Sequence, residues 1–138
     1  MNILNTADFK YLGGLRTEAT HLRSDTSILT DAPTDNHGKG EAFSPTDLVA
    51  SSLVSCMITV MGIKADKHNM DMGEVSGTVK KIMASEPRRV AQLNVEIAFK
   101  GHRLSSTERN ILEKTALTCP VAHSLHPDIT QQVKFSYE

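Results

Sequence analysis

The sequence has no tryptophan, only two cysteines, and no excess of charge of either sign. There are 15 basic side chains against 16 acidic ones, and like charges run no further than pairs such as Lys80-Lys81 and Arg88-Arg89. A surface that tracks phosphates gathers a basic excess on one face, so nucleic acid is not an expected partner. No apolar run reaches the roughly 20 residues of a membrane span. The longest stretch, Leu48 to Ile63, is interrupted by Ser51, Ser52, Ser55, Thr59 and Gly62, which argues for a buried core helix and no membrane partner. Met1 to Asn5 shows no charged leader followed by an apolar block, so the expected setting is cytoplasmic. There, thiols are kept reduced, and a cysteine pair is either inert packing or chemistry. Also absent are a glycine-rich phosphate loop, a serine-nucleophile elbow, a His-Glu-x-x-His helix and a Cys-x-x-Cys pair. No cofactor is expected, and sulfur is left as the best candidate for any catalysis.

With 138 residues, 39% of them hydrophobic and 22% charged, the chain fits one globular domain, 1–138, with a single core. Extended segments are expected over residues 6–12, 15–24 and 27–30, the first two joined by a Gly13-Gly14 turn. Residues 31–43 are almost free of apolar side chains and read as a solvent-facing loop. Ser44 is a cap candidate and Pro45 suits the first position of a helix that runs to about His68. Apolar residues occupy every face of that helix, which spans about 35 Å. One subunit of this size would struggle to cover it.

Residues 74–85 and 90–100 predict an antiparallel strand pair, the second with period-two alternation at Leu93, Val95, Ile97 and Phe99. Ser105 and Glu108 have capping-box spacing for a second helix. Pro120 ends it and opens a short third one, 120–125. Val133, Phe135 and Tyr137 alternate as a final strand. Without regular βαβ repetition the class is α+β.

Cys56 sits mid-helix among apolar neighbours, where a small buried hydrophobe and a reactive thiol are both open readings. Cys119 precedes Pro120 at a helix start, where free N–H groups favour a thiolate, although a plain capping role is equally open. Cys119 and His123 share a helical face and would suit zinc if Cys56 and another histidine joined them, but that spacing arises easily by chance. No metal is expected.

Ser44-Pro45-Thr46-Asp47-Leu48, the run Ala50 to Cys56, and Thr118-Cys119-Pro120-Val121 together resemble the OsmC/Ohr family, the osmotically inducible protein C and organic hydroperoxide resistance proteins. The likeness extends over nearly the whole chain. Gly13-Gly14-Leu15-Arg16 is similar to the family's early Gly-Gly-Arg segment, with one residue inserted. The resemblance implies antiparallel sheets wrapped around a long central helix, in an intertwined homodimer whose active sites draw on both subunits. It implies a peroxidatic role for Cys56, a resolving role for Cys119 through a Cys56–Cys119 disulfide, and a charge-stabilising role for Arg16. Organic hydroperoxides are the implied substrates, and a dithiol, in this family commonly a lipoylated protein, the implied reductant.

One departure stands out. The organic hydroperoxide branch carries a glutamate directly after the proline of its Asn-Pro-Glu motif, where it orients the arginine, but here Thr46 follows Pro45. Glu18, Glu41 and Asp47 are the candidates to serve instead. A non-enzymatic binding or redox-sensing protein on the same fold is the alternative reading.

Overall fold

The computed structural model describes residues 5–138; Met1 to Leu4, on which most of the leader reading rests, lie outside the described residues. In chain order the elements are β1 (Ala7–Gly13), β2 (Arg16–His21), β3 (Thr26–Asp31), α1 (Pro45–Lys67), β4 (Glu74–Ala84), β5 (Arg89–Lys100), α2 (Ser106–Leu117), α3 (Pro120–Ser124) and β6 (Thr130–Tyr137). The chain divides into a unit that runs through Leu48 and a second, Val49–Glu138.

In the first unit β1, β2 and β3 form an antiparallel sheet in that order. The β1–β2 turn takes positive φ at Gly13 and Gly14, of 80° and 61°, which glycine tolerates without strain, and at Leu15, of 63°, which a side chain disfavours. The β2–β3 register runs from His21 opposite Thr26 to Arg16 opposite Asp31. Residues 32–43 form a knotted-down loop: Asn36 and Gly38 donate to the Pro33 carbonyl, Gly40 to that of Ala32, and Asp31 to that of Phe43. A Cβ at Gly38 would stand 1.7 Å from the Ala32 carbonyl oxygen, so only glycine fits there.

The solvent-facing reading of residues 31–43 needs correction at its first residue. Thr34 to His37 are exposed, but Asp31 closes β3 and is 1% exposed. Composition hid it, because its polar neighbours in sequence are not its neighbours in space. Ser44 caps α1 as expected, its Oγ accepting from the Asp47 N–H at 3.0 Å while Asp47 Oδ2 accepts from the Ser44 N–H at 3.0 Å. That reciprocal pair satisfies two otherwise orphan donors at the helix start.

The second unit carries the core. Ala50, Leu53, Met57, Met61 and Ala65 of α1, spaced three or four apart, pack with Leu93, Val95, Ile97 and Phe99 of β5, and with Leu112 and Ala116 of α2. The alternation read in β5 is the buried face of the central strand, since the sheet order is β4-β5-β6. Each such side chain contributes about 1.5–3 kcal/mol on leaving water. The expected antiparallel pairing holds for β4–β5, whereas β6 runs parallel to β5. Its reason is the connection: α2 and α3 form a crossover of the length that parallel neighbours require. The α2 capping box is present in both directions, 3.1 Å from Glu108 N–H to Ser105 Oγ and 2.9 Å from Ser105 N–H to Glu108 Oε1.

Helix α1 is longer than its uninterrupted apolar stretch suggests: by length and composition alone its 23 residues meet the requirement for crossing a membrane, with only 28% of the apolar window buried. Ile63 is 51% exposed. The covered stripe belongs to a core helix; Leu48, Val49, Val54, Ile58 and Val60 beside it are half-buried.

Candidate functional site

The second unit brings the two cysteines together. Cys56 lies midway along α1, half-buried at the margin of the core, and Cys119 is the residue before α3, 1% exposed within it. Their thiols are near enough to influence one another. Both are free. Pro120 at the first helical position fixes the α3 start, and extended backbone at Cys119 turns its Sγ toward the Ala122 N–H, which donates to it at 3.4 Å.

Burial pushes the Cys119 thiol above its ordinary range, outweighing the donating Ala122 N–H, and the adjacent Cys56 pushes it the same way. The thiolate expected at this helix start is therefore not favoured: the Ala122 and Val121 N–H groups both act for the charge, but its desolvation costs more than weak N–H to sulfur bonds return. Cys119 holds its proton. Cys56 has greater access to solvent.

Arg16 lies in the first unit, at the start of β2. Its Nε donates to Asp31 Oδ1 at 2.7 Å and its Nη2 to Asp31 Oδ2 at 2.8 Å, a two-pronged charge-assisted pair. Asp31 Oδ2 also accepts from the Glu41 N–H at 3.0 Å. The Arg16 bonds hold the Asp31 carboxyl below the usual range against the opposing effect of burial, and Asp31 in turn raises Arg16. Of the three carboxylates expected near Arg16, Glu41 acts twice, its charge helping to raise Arg16 and its backbone N–H donating to Asp31, while Asp47 is engaged at the α1 cap. Glu18 stands opposite Lys10 and Leu29 in the sheet. Asp31 was missed, although extending the β2–β3 hairpin register by one residue pair would have found it.

A groove of about 400 Å³ in the second unit is lined by Val49, Val90, Ala91 and Ile129, with Arg89, His126 and Asp128 as its polar residues. Val49 precedes Cys56 by seven residues, two turns along the same helix face. His123, the other half of the zinc reading, is exposed, and among the described residues no three histidine, cysteine or acidic side chains are grouped to hold a metal ion.

A family model described as OsmC-like protein matches residues 38–134. Among solved structures, a Psychrobacter arcticus protein provisionally assigned to osmotic stress induction and detoxification response is 50% identical, with a TM-score of 0.92 over 98% of each chain. An organic hydroperoxide resistance protein OsmC from Legionella pneumophila is 20% identical, with a TM-score of 0.71 over 98% of this chain and 99% of the other. An organic hydroperoxide resistance protein from Elizabethkingia anophelis is 16% identical, with a TM-score of 0.75 over 100% of both. The last two, at those identities, establish likeness of fold. No curated protein matches the sequence.

Proposed function

The chain belongs to the OsmC-like protein family, and on that footing we propose that it is a thiol peroxidase that reduces organic hydroperoxides. The observation that carries the reading is the pairing of a half-buried Cys56 with a buried Cys119 whose proton affinity it raises. The Cys56 thiolate attacks the peroxide oxygen, the O–O bond breaks, and Cys56 becomes a sulfenic acid while the alkoxide leaves and takes a proton. The Cys119 thiol then displaces hydroxide from that sulfenic acid, releasing water and forming the Cys56–Cys119 disulfide. A dithiol, with a lipoyl protein as candidate, restores both thiols by exchange and is itself oxidised to its disulfide.

In this reading Arg16 favours the Cys56 thiolate and offsets charge on the departing alkoxide. The groove beside Val49 suits the apolar tail of the substrate. The incomplete burial of the apolar α1 supports an intertwined homodimer, the whole chain acting as one OsmC-like domain in the cytoplasm. A test is steady-state consumption of cumene hydroperoxide with dihydrolipoamide as reductant. Turnover that needs Cys56, Cys119 and Arg16 is the expected result, and turnover indifferent to Cys56→Ser would overturn it.

A further inference from the structure

We infer that Gln131 is a positioning residue for Cys119, tying the short helix α3 to strand β6 so that the Cys119 sulfur stays seated and aligned for closure onto Cys56; this rests on the redox pair proposed above. Every group involved belongs to the second unit.

Along β6, Gln131, Val133, Phe135 and Tyr137 are half-buried between exposed neighbours. Side chains alternate between the faces of a strand, so Gln131 shares the face on which Val133, Phe135 and Tyr137 pack against the core. Its partner in the parallel register is Leu93, which is fully buried. An amide at such a place forfeits hydration and costs stability unless it is bonded. The bond it makes is to α3: Gln131 Nε2 donates to the Ala122 carbonyl at 3.1 Å.

The residue so held is the one that serves the sulfur. Ala122 donates its N–H to Cys119 Sγ at 3.4 Å and accepts from Gln131 at its carbonyl. With five residues, α3 is too short to keep a helical conformation unaided, and its closing carbonyls find no acceptor role further along the helix. Ala122 is therefore fixed from two directions, by Cys119 within the turn and by Gln131 from the sheet. Released from β6, the turn frays and the Ala122 N–H leaves the sulfur. Cys119 then loses its alignment together with a donor that offsets the charge it develops as it attacks.

A dithiodipyridine reads the two thiols in turn without peroxide. The Cys56 thiolate attacks the S–S bond of the reagent, forming a mixed disulfide and releasing one pyridinethione. Cys119 gives its proton to buffer and attacks Cys56 Sγ; the second pyridinethione leaves and the Cys56–Cys119 disulfide forms. The first phase depends on reagent concentration and the second does not. Gln131→Met keeps the bulk and removes the donor, whereas Gln131→Glu keeps the shape and, when ionised, only accepts. Both are expected to slow the second phase near neutral pH about tenfold and to move its pH midpoint upward by about one unit, with the first phase at the parent's rate. Ser124→Ala removes a bond internal to α3, from Ser124 Oγ to the Pro120 carbonyl, and is expected to leave the second phase unchanged. Closure in both Gln131 variants as fast as in the parent, an unmoved midpoint, or equal slowing by Ser124→Ala would overturn the inference. A parent that releases fewer than two pyridinethiones per chain overturns the redox pair and the inference with it. Closure that follows the expected pattern in a protein inert to cumene hydroperoxide sinks the peroxidase and leaves the positioning.

Discussion

Arg16 and Asp31 meet across the end of the β2–β3 pair with both carboxylate oxygens engaged, at 2.7 and 2.8 Å. Because the Asp31 carboxyl sits below its ordinary range, mainly through the Arg16 bonds, the folded state binds its proton less readily than the unfolded state. Its contribution is therefore complete above the ordinary carboxylate value of about 4 and lost as pH falls through the lower folded value. Arg16, raised, stays charged throughout and adds no slope of its own. Urea unfolding between pH 2 and 7 should show an acid-side decline that is shallower in Asp31→Asn.

Cys119 has the opposite sign. Burial raises its thiol, so the fold favours the protonated form, and that contribution is complete below the ordinary thiol value of about 8.5 and lost as pH rises through the folded value. The reduced protein should lose stability in alkaline buffer, and Cys119→Ala should flatten that loss, measured by denaturant midpoints from pH 7 to 10.

Leu53 is fully buried against the sheet. Leu53→Ala removes its transfer energy and leaves a cavity, for an expected loss of about 2–5 kcal/mol. Calorimetry with retained far-ultraviolet dichroism checks it.

Gly38→Ala forces a Cβ to 1.7 Å from the Ala32 carbonyl, so the loop must shift. The expected cost is about 1–3 kcal/mol, the usual range for overpacking. The variant should show a lowered melting temperature.

The incomplete burial of the apolar α1 predicts a particle of twice the 15.1 kDa chain mass by light scattering. Ile63→Asp, at a position 51% exposed in one chain, should shift the mass toward a single copy.

Elements written in local pattern were legible in the sequence. Alternation gave the buried face of β5, capping spacing located the start of α2, and Cys119-Pro120 marked the α3 start. Non-local relationships were not. The parallel partnership of β6 with β5 depends on where a crossover returns the chain, and four alternating residues look alike in either direction. Asp31 lay in a polar run and was read with its chain neighbours, while its partner stands 15 positions earlier. The state of Cys119 depends on how deeply α3 is packed, a quantity its own sequence window does not contain.

The central claim is that Cys56 and Cys119 act as one redox pair. Its most direct measurement is a non-reducing peptide mass map of the fully reduced protein after one equivalent of cumene hydroperoxide. The account predicts a linked Cys56–Cys119 peptide pair lighter by two hydrogens than the free thiols, appearing as peroxide is consumed and absent in Cys119→Ser, where Cys56 carries one added oxygen. Peroxide consumed with both thiols left unlinked, or no consumption at all, would contradict it.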